Sequence, residues 1–270
     1  MDDERSPVHA SGIAPLDAAT SGMSRRETLI LGGLASAVAY VGAIPTAAFA
    51  ALRSDEPIDV LFVLYPRFTL QDFAGANEVF ARLPNVRVHV ATPDGGPVTS
   101  DTNITLADTL RLADVKSCHV LCVPGGSDHK RAMMTDVQVD LRRLAAQSTY
   151  VTSICNGSLV LGNAGLLKGK RSACWWGQRN LLRQYGAIPD KARVVTDGNF
   201  VSGGGVTAGI DFALTLAAKL RGPIDAQVVQ LTMEYAPQPP FKSGSVETAP
   251  RAVVEAWKRR FPALAATAGI

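Results

Sequence analysis

The sequence predicts an α/β fold, a doubly wound and mostly parallel sheet with helices on both faces. Three observations carry that expectation. Nearly continuous apolar runs of strand length recur along the chain, as strands buried on both faces require. Stretches of helical length and pattern separate them. Gly- or Pro-rich breaks follow several of the runs, at the ends where such sheets place their active crevices.

The elements follow in order. Residues 58–65 (IDVLFVLY) read as a first buried strand, and residues 73–83 as a helix. Residues 86–91 form the next strand, with Arg87 and His89 alternating against apolar neighbours. Residues 93–110 begin with Pro93-Asp94-Gly95-Gly96-Pro97 and read as turn and hairpin. Residues 119–123 are another buried strand, ended by Pro124-Gly125-Gly126, and residues 130–147 a helix. Residues 150–154 form a strand that stops at Cys155, and residues 157–167 are helical. Two short runs flank Asp197-Gly198-Asn199 as a β-hairpin. Gly203-Gly204-Gly205 breaks the chain before helices over residues 207–221 and 225–235. The Pro-rich stretch 236–250 is expected to wrap the surface.

Residues 1–50 read as a leader and residues 51–270 as one domain of about 220 residues, within the usual range. Ser24-Arg25-Arg26-Glu27-Thr28-Leu29-Ile30 is a twin-arginine pattern, a Gly/Ala-rich apolar run follows, and Ala48-Phe49-Ala50 is a small-x-small cleavage site. The apolar run is too short and too broken to be a good membrane span. The expectation is export by the twin-arginine route to a periplasmic or other extracytoplasmic space, with no stable membrane insertion once the signal is cleaved. The chain carries +3. Its leader holds three arginines against five acids, which leaves +5 on the rest. The basic residues are scattered, with no stripe interleaved with aromatics, so nucleic-acid binding is not expected.

Four cysteines occur, at 118, 122, 155 and 174. No Cys or His lies at zinc-ligand spacing, so no metal is expected. Cys118 and Cys122 share one strand face, roughly 13 Å apart if extended, too far for a disulfide. Cys155 stands apart. It ends a strand and is followed by the small residues Asn156-Gly157-Ser158 and then a helix, the arrangement that lifts a nucleophile to the top of a sheet. A helix N-terminus favours the reactive thiolate. The other reading of a single cysteine is a buried packing residue. Gly125 and Gly126, with Gly157, offer backbone amides for an oxyanion or substrate site, or form an ordinary turn. Asp72 is either a helix cap or, if it touches Cys155, a carboxyl able to shuttle a proton.

Asp72 in the first βα turn, Pro124-Gly125-Gly126 and the Cys155 elbow together resemble the ThiJ/PfpI family of the class I glutamine amidotransferase-like superfamily. Three longer stretches carry the resemblance further, toward the bacterial isonitrile (isocyanide) hydratases. They are CNGSLVLGNAGLL from Cys155, VSGGGVTAGID from Val201, and EYAPQPPF from Glu234. The resemblance implies a flavodoxin-like sheet, a homodimer, a small-molecule substrate and a cofactor-free lyase. Cys155 would attack an isonitrile carbon, Asp72 would move protons, and water would release an N-substituted formamide. Two departures stand out. Asn156 follows the nucleophile where such hydratases usually have Thr, which makes Asn156 a further candidate catalytic residue. The segment Ser172-Ala173-Cys174-Trp175-Trp176 lacks the His that many relatives carry, leaving His129 as the nearest substitute base and Cys174 as a resolving thiol or packing residue. The alternative function is an exported redox-sensing or aldehyde-handling thiol protein without hydratase activity. A regulator of the AraC type is not expected, because the chain ends about 30 residues after the family-like region.

Overall fold

The computed structural model describes residues 56–269, so the export signal expected over residues 24–50 lies outside the described residues. In chain order the elements are β1 (Ile58–Val63), α1 (Leu70–Phe80), β2 (Val86–Thr92), β3 (Val98–Thr99), β4 (Thr105–Leu106) and β5 (Leu110–Arg111). They continue with β6 (Val120–Val123), α2 (Thr135–Ala145), β7 (Tyr150–Ile154), α3 (Gly157–Asn163), β8 (Arg171–Ser172) and β9 (Ile188–Pro189). The last are β10 (Val194–Asp197), β11 (Phe200–Gly203), α4 (Ala208–Arg221), α5 (Pro223–Thr232), α6 (Arg251–Arg260) and α7 (Pro262–Ala268).

The central sheet runs β10-β11-β7-β6-β1-β2-β5, and every pairing is parallel except β10 with β11. The two-residue period of a strand accounts for the apolar run of β1. Val60 and Phe62 enter one core layer, with Val79 and Phe80 of α1 and Phe212 and Leu216 of α4. Leu61 and Val63 enter the other, with Val137, Leu141 and Leu144 of α2 and Leu159 and Val160 of α3. Both faces are therefore covered, and each fully buried Leu, Val or Phe contributes about 1.5–3 kcal/mol. Arg221, at the end of α4, donates to the Pro84, Asn85 and Glu56 carbonyls and so ties this helix to the start of β1.

Several boundaries differ from the sequence-based expectation. The first helix begins at Leu70 rather than residue 73, which moves Asp72 into its first turn. Thr69 occupies the cap position but donates to Asp101 Oδ2 at 2.8 Å instead of capping the helix. The hairpin expected over residues 93–110 is the small β3–β4 pair, while β5 adds itself to the sheet edge beside β2. The helix after Cys155 ends at Asn163, and the one expected over residues 225–235 spans Pro223–Thr232. Helices α6 and α7 have no counterpart among the expected elements. The stretch 236–250 contains no helix or strand, and Lys191 pairs with its Glu247 at 3.2 Å.

Candidate active site

Cys155 sits where β7 turns into α3, with φ +58°, a left-handed backbone that L-residues other than Gly, Asn and Asp seldom adopt. Its own N–H donates to the Gly203 carbonyl at 3.1 Å, which joins the elbow to the end of β11. The carboxyl ends of β1, β6 and β7 thereby bring Asp72, Gly125, Gly126 and Cys155 together, as the sequence predicts. Asp72 is fully buried, and its Oδ2 accepts the Gly125 N–H at 2.8 Å. Its Oδ1 is buried without a hydrogen-bond partner among the described residues.

Two ionisable groups share this space, and both are pushed toward their neutral forms. Burial raises the Asp72 carboxyl to about 7, against the opposing pull of the Gly125 amide and the Cys155 thiol. Burial also raises the Cys155 thiol well above its ordinary value, and the neighbouring acids Asp72 and Cys174 add to it. The Asn156 N–H favours the thiolate, as expected at a helix start, but burial outweighs it. The expectation of a simple low-pKa thiol is corrected accordingly. Two adjacent buried acids cannot readily ionise together, so one proton leaves the pair near neutral pH and the other is held.

The glycines have a different part from the one their spacing suggests. The Gly125 N–H is taken by Asp72, and the Gly126 N–H donates to Asn156 Oδ1 at 2.9 Å. In this arrangement neither amide is free to receive an oxyanion. What the site needs from them is the absence of a side chain. A Cβ on Gly125 would lie 2.7 Å from Asp72 Oδ2 and 2.9 Å from Cys155 Cβ, and would collide with Asn156. A Cβ on Gly157 would strike the Val123 and Pro124 carbonyls, so α3 can start this close to β6 only with glycine there. Asn156 is a brace. Its Nδ2 donates to the Gly126 carbonyl at 3.1 Å and to Gln178 Oε1 at 2.7 Å, so the amide holds Gly126 at two points.

His129 does not take the place of the missing base. It is half-buried, its ring lies 5.9 Å from that of Tyr65, and burial lowers its pKa, against the pull of Asn156. It is absent from the lining of the Cys155 cavity. Cys174 is buried, and burial drives its thiol up to about 12, which makes it a poor resolving thiol. All four cysteines are free.

The cavity over Cys155 has a volume of about 320 Å³. Cys155, Asn156 and Gly126 line it, Thr69, Asp101 and Gln178 add polar groups, and Trp175, Val206 and Leu264 supply apolar surface. Trp175 thus lines the pocket, and it continues into an aromatic cluster with Trp176, Trp257 and Phe261. Another cavity, of about 410 Å³, is lined by Asp59, Arg87 and His89 and by none of the residues around Cys155. Its one thiol, Cys118, is likewise raised by burial, and no elbow presents it.

Residues 59–219 match the DJ-1/PfpI family. The chain belongs to that family. Among DJ-1/PfpI relatives, an isonitrile hydratase of Pseudomonas putida is 52% identical over 209 residues, spanning 77% of this chain and 92% of the hydratase. The HTH-type transcriptional regulator CdhR of Pseudomonas aeruginosa is 31% identical over 173 residues, 61% of this chain but 51% of the regulator. Among solved DJ-1/PfpI structures, a ThiJ/PfpI family protein from Pseudomonas syringae superposes with a TM-score of 0.75 at 33% identity, covering 85% of this chain and 97% of that one. The mostly parallel sheet is the flavodoxin-like arrangement of these neighbours.

Asp72, Gly125, Gly126 and the Cys155-Asn156-Gly157 elbow all fall inside the DJ-1/PfpI match, whereas Leu264 lies beyond it. Sequence reasoning missed Leu264 and Gln178. A lone Gln three residues after a tryptophan has no signature, and Leu264 stands in an Ala-rich tail with no period that marks a functional wall.

Proposed function

We propose that this protein is an isonitrile hydratase, a cofactor-free lyase acting through Cys155. The 52% identity to the Pseudomonas putida isonitrile hydratase over 92% of its length carries the reading, and the buried pair of Cys155 and Asp72 supplies chemistry that suits it.

Above neutral pH the pair holds one proton. That proton passes from the Cys155 sulfur to the Asp72 carboxylate as the sulfur attacks the terminal isonitrile carbon. A C–S bond forms, and Asp72 returns the proton to that carbon, giving an S-linked thioimidate R–N=CH–S. Water then adds to the same carbon while Asp72 relays one of its protons to the nitrogen, and the C–S bond breaks with its electron pair returning to sulfur and the remaining hydroxyl proton returning to the Cys155–Asp72 pair. The product is R–NH–CHO. The sum is isonitrile plus water, with no oxidant or reductant. The unpartnered Asp72 Oδ1 is the atom available for these transfers. Asn156 and Gln178 hold the loop and elbow in register while lining the cavity beside Cys155.

Formation of N-cyclohexylformamide from cyclohexyl isocyanide, with Cys155→Ala as control, tests the proposal. Turnover by the native chain that disappears in the control supports it. An isonitrile left unchanged by protein whose Cys155 titrates as a free thiol overturns it.

Two further parts of the reading rest on sequence and surface. Export is inferred from the twin-arginine pattern and the Ala48-Phe49-Ala50 site, and N-terminal sequencing of the exported protein should begin at Ala51. Homodimer formation is inferred from Ile224, Val228 and Leu231, spaced along α5 as one exposed apolar stripe. Leu231→Lys should then shift the mass in solution to that of a monomer.

A further inference from the structure

The Cys155 cavity does not end at its apolar wall. Trp175 and Val206 line it and also line an adjoining cleft of about 770 Å³. Arg179, Lys191 and Arg193 bring three cations to that cleft, against one acid, Glu247. The acid is already paired with Lys191 at 3.2 Å. Arg193 is paired with Asp211 at 2.5 Å. Asp190, whose charge also reaches Arg179, is held by Arg171 at 2.6 Å and accepts the Ala192 N–H. Arg179 alone of the three makes no ion pair or hydrogen bond among the described residues, although it is half-buried. A half-buried guanidinium with no acid paired to it keeps its donors available to an incoming anion. Its planar fork matches a carboxylate at two points. It also adjoins in sequence Gln178, which is bonded to the Asn156 brace beside the nucleophile.

We infer that the substrate is an isonitrile carrying a carboxylate, its reactive carbon at Cys155, its apolar body between Trp175 and Val206, and its carboxylate on Arg179. This rests on the hydratase reading for the reactive end and on the cleft for the anionic end. Lys191 and Arg193 add positive potential that favours entry of an anion.

The test compares a series of ω-isocyano carboxylates of increasing chain length with their methyl esters, using the native full chain, Arg179→Gln and Arg179→Lys. For the best chain length the acid should exceed its ester by about tenfold in kcat/KM, the size of a charge-assisted hydrogen bond in a partly wet site, with the difference in KM. Arg179→Gln should bring the acid-to-ester ratio close to one, and Arg179→Lys should restore part of it. A ratio near one in the native chain at every length overturns the inference while leaving the hydratase reading intact. So does a ratio that survives Arg179→Gln. If acid and ester are both left unchanged while cyclohexyl isocyanide is hydrated, the inference is overturned; if cyclohexyl isocyanide is left unchanged too, the hydratase reading fails, and binding decides the anion site by itself. The carboxylate formamide and its ester are then titrated against Cys155→Ala by tryptophan fluorescence. Tighter binding of the acid, lost on adding Arg179→Gln, upholds the site, and equal affinities overturn it.

Discussion

Asp72→Asn separates the chemistry of the buried carboxyl from its cost to the fold. An acid held at about 7 in place of 3.8 has its charged form disfavoured by on the order of 4 kcal/mol, at about 1.4 kcal/mol per pH unit. The raised value fixes the sign. Below pH 3.8 the carboxyl is neutral in both folded and unfolded chains and there is no penalty. As pH rises toward 7, the unfolded chain releases the proton while the folded chain keeps it, and stability falls. Above 7 the full penalty remains. Asn cannot ionise, yet its amide oxygen can still accept the Gly125 N–H that Oδ2 now accepts. The variant should therefore be the more stable protein, and its advantage should widen by about 2–3 kcal/mol between pH 5 and pH 8. Other titrating groups are common to both proteins and cancel to first order in the difference. Urea unfolding of both proteins at each pH, compared at matched slopes, measures it. Hydration should vanish in the same variant. A stability difference that does not change with pH would refute the buried, proton-holding Asp72 on which the mechanism stands.

Three other outcomes follow from the same geometry. Because the Asp72 charge is among the causes that raise the Cys155 thiol, Asp72→Asn should speed alkylation of Cys155 by iodoacetamide at pH 8 even as hydration stops, read by intact mass; unchanged or slower labelling contradicts the coupling. Gly125→Ala places a methyl 2.7 Å from Asp72 Oδ2 and 2.9 Å from Cys155 Cβ, costing about 1–3 kcal/mol of stability. It should also reduce kcat/KM by about a hundredfold, since displacement of reacting groups by an ångström has that effect, and a fully active variant would show that the three groups need not meet. Leu264→Ala removes apolar surface from the cavity and should raise the ratio of bulky aryl to small alkyl isonitrile turnover several-fold, within the range one or two methylenes command. An unaltered ratio in competition assays removes Leu264 from the pocket.

The sheet was largely legible because its buried strands announce themselves. Residues 58–63 have no polar side chain but Asp59, and only a strand covered on both faces tolerates that. The elbow was legible for a similar reason, since a cysteine set between a buried strand and a run of small residues stands where a strand-to-helix turn presents a nucleophile. The state of Asp72 was not. An acid in the first turn of a helix ordinarily faces water and the helix dipole, and what buries this one is the loop around Gly125, which reaches it from 53 residues away. The occupied amides of Gly125 and Gly126 were hidden in the same way, because Asn156 and Asp72 claim them only in three dimensions. The helix over Arg251–Arg260 escaped notice because it fully buries none of its residues and presents Lys258, Arg259 and Arg260 as an ordinary charged run. Its Trp257 packs 4.6 Å from Trp176, a contact between residues far apart in sequence that local pattern cannot reveal.

The division of the pocket at residue 219 has an evolutionary consequence. Cys155, Asp72 and Asn156 all lie within residues 59–219, while Leu264 reaches the same cavity from the tail. One part of the cavity wall is therefore carried on a stretch of the gene apart from Cys155 and Asp72. The tail can lengthen, shorten or drift in sequence, trimming the space above the sulfur, while Cys155 and Asp72 stay as they are. Lineages can accordingly alter one wall of this cavity after residue 219 without touching Trp175, Arg179 or Val206.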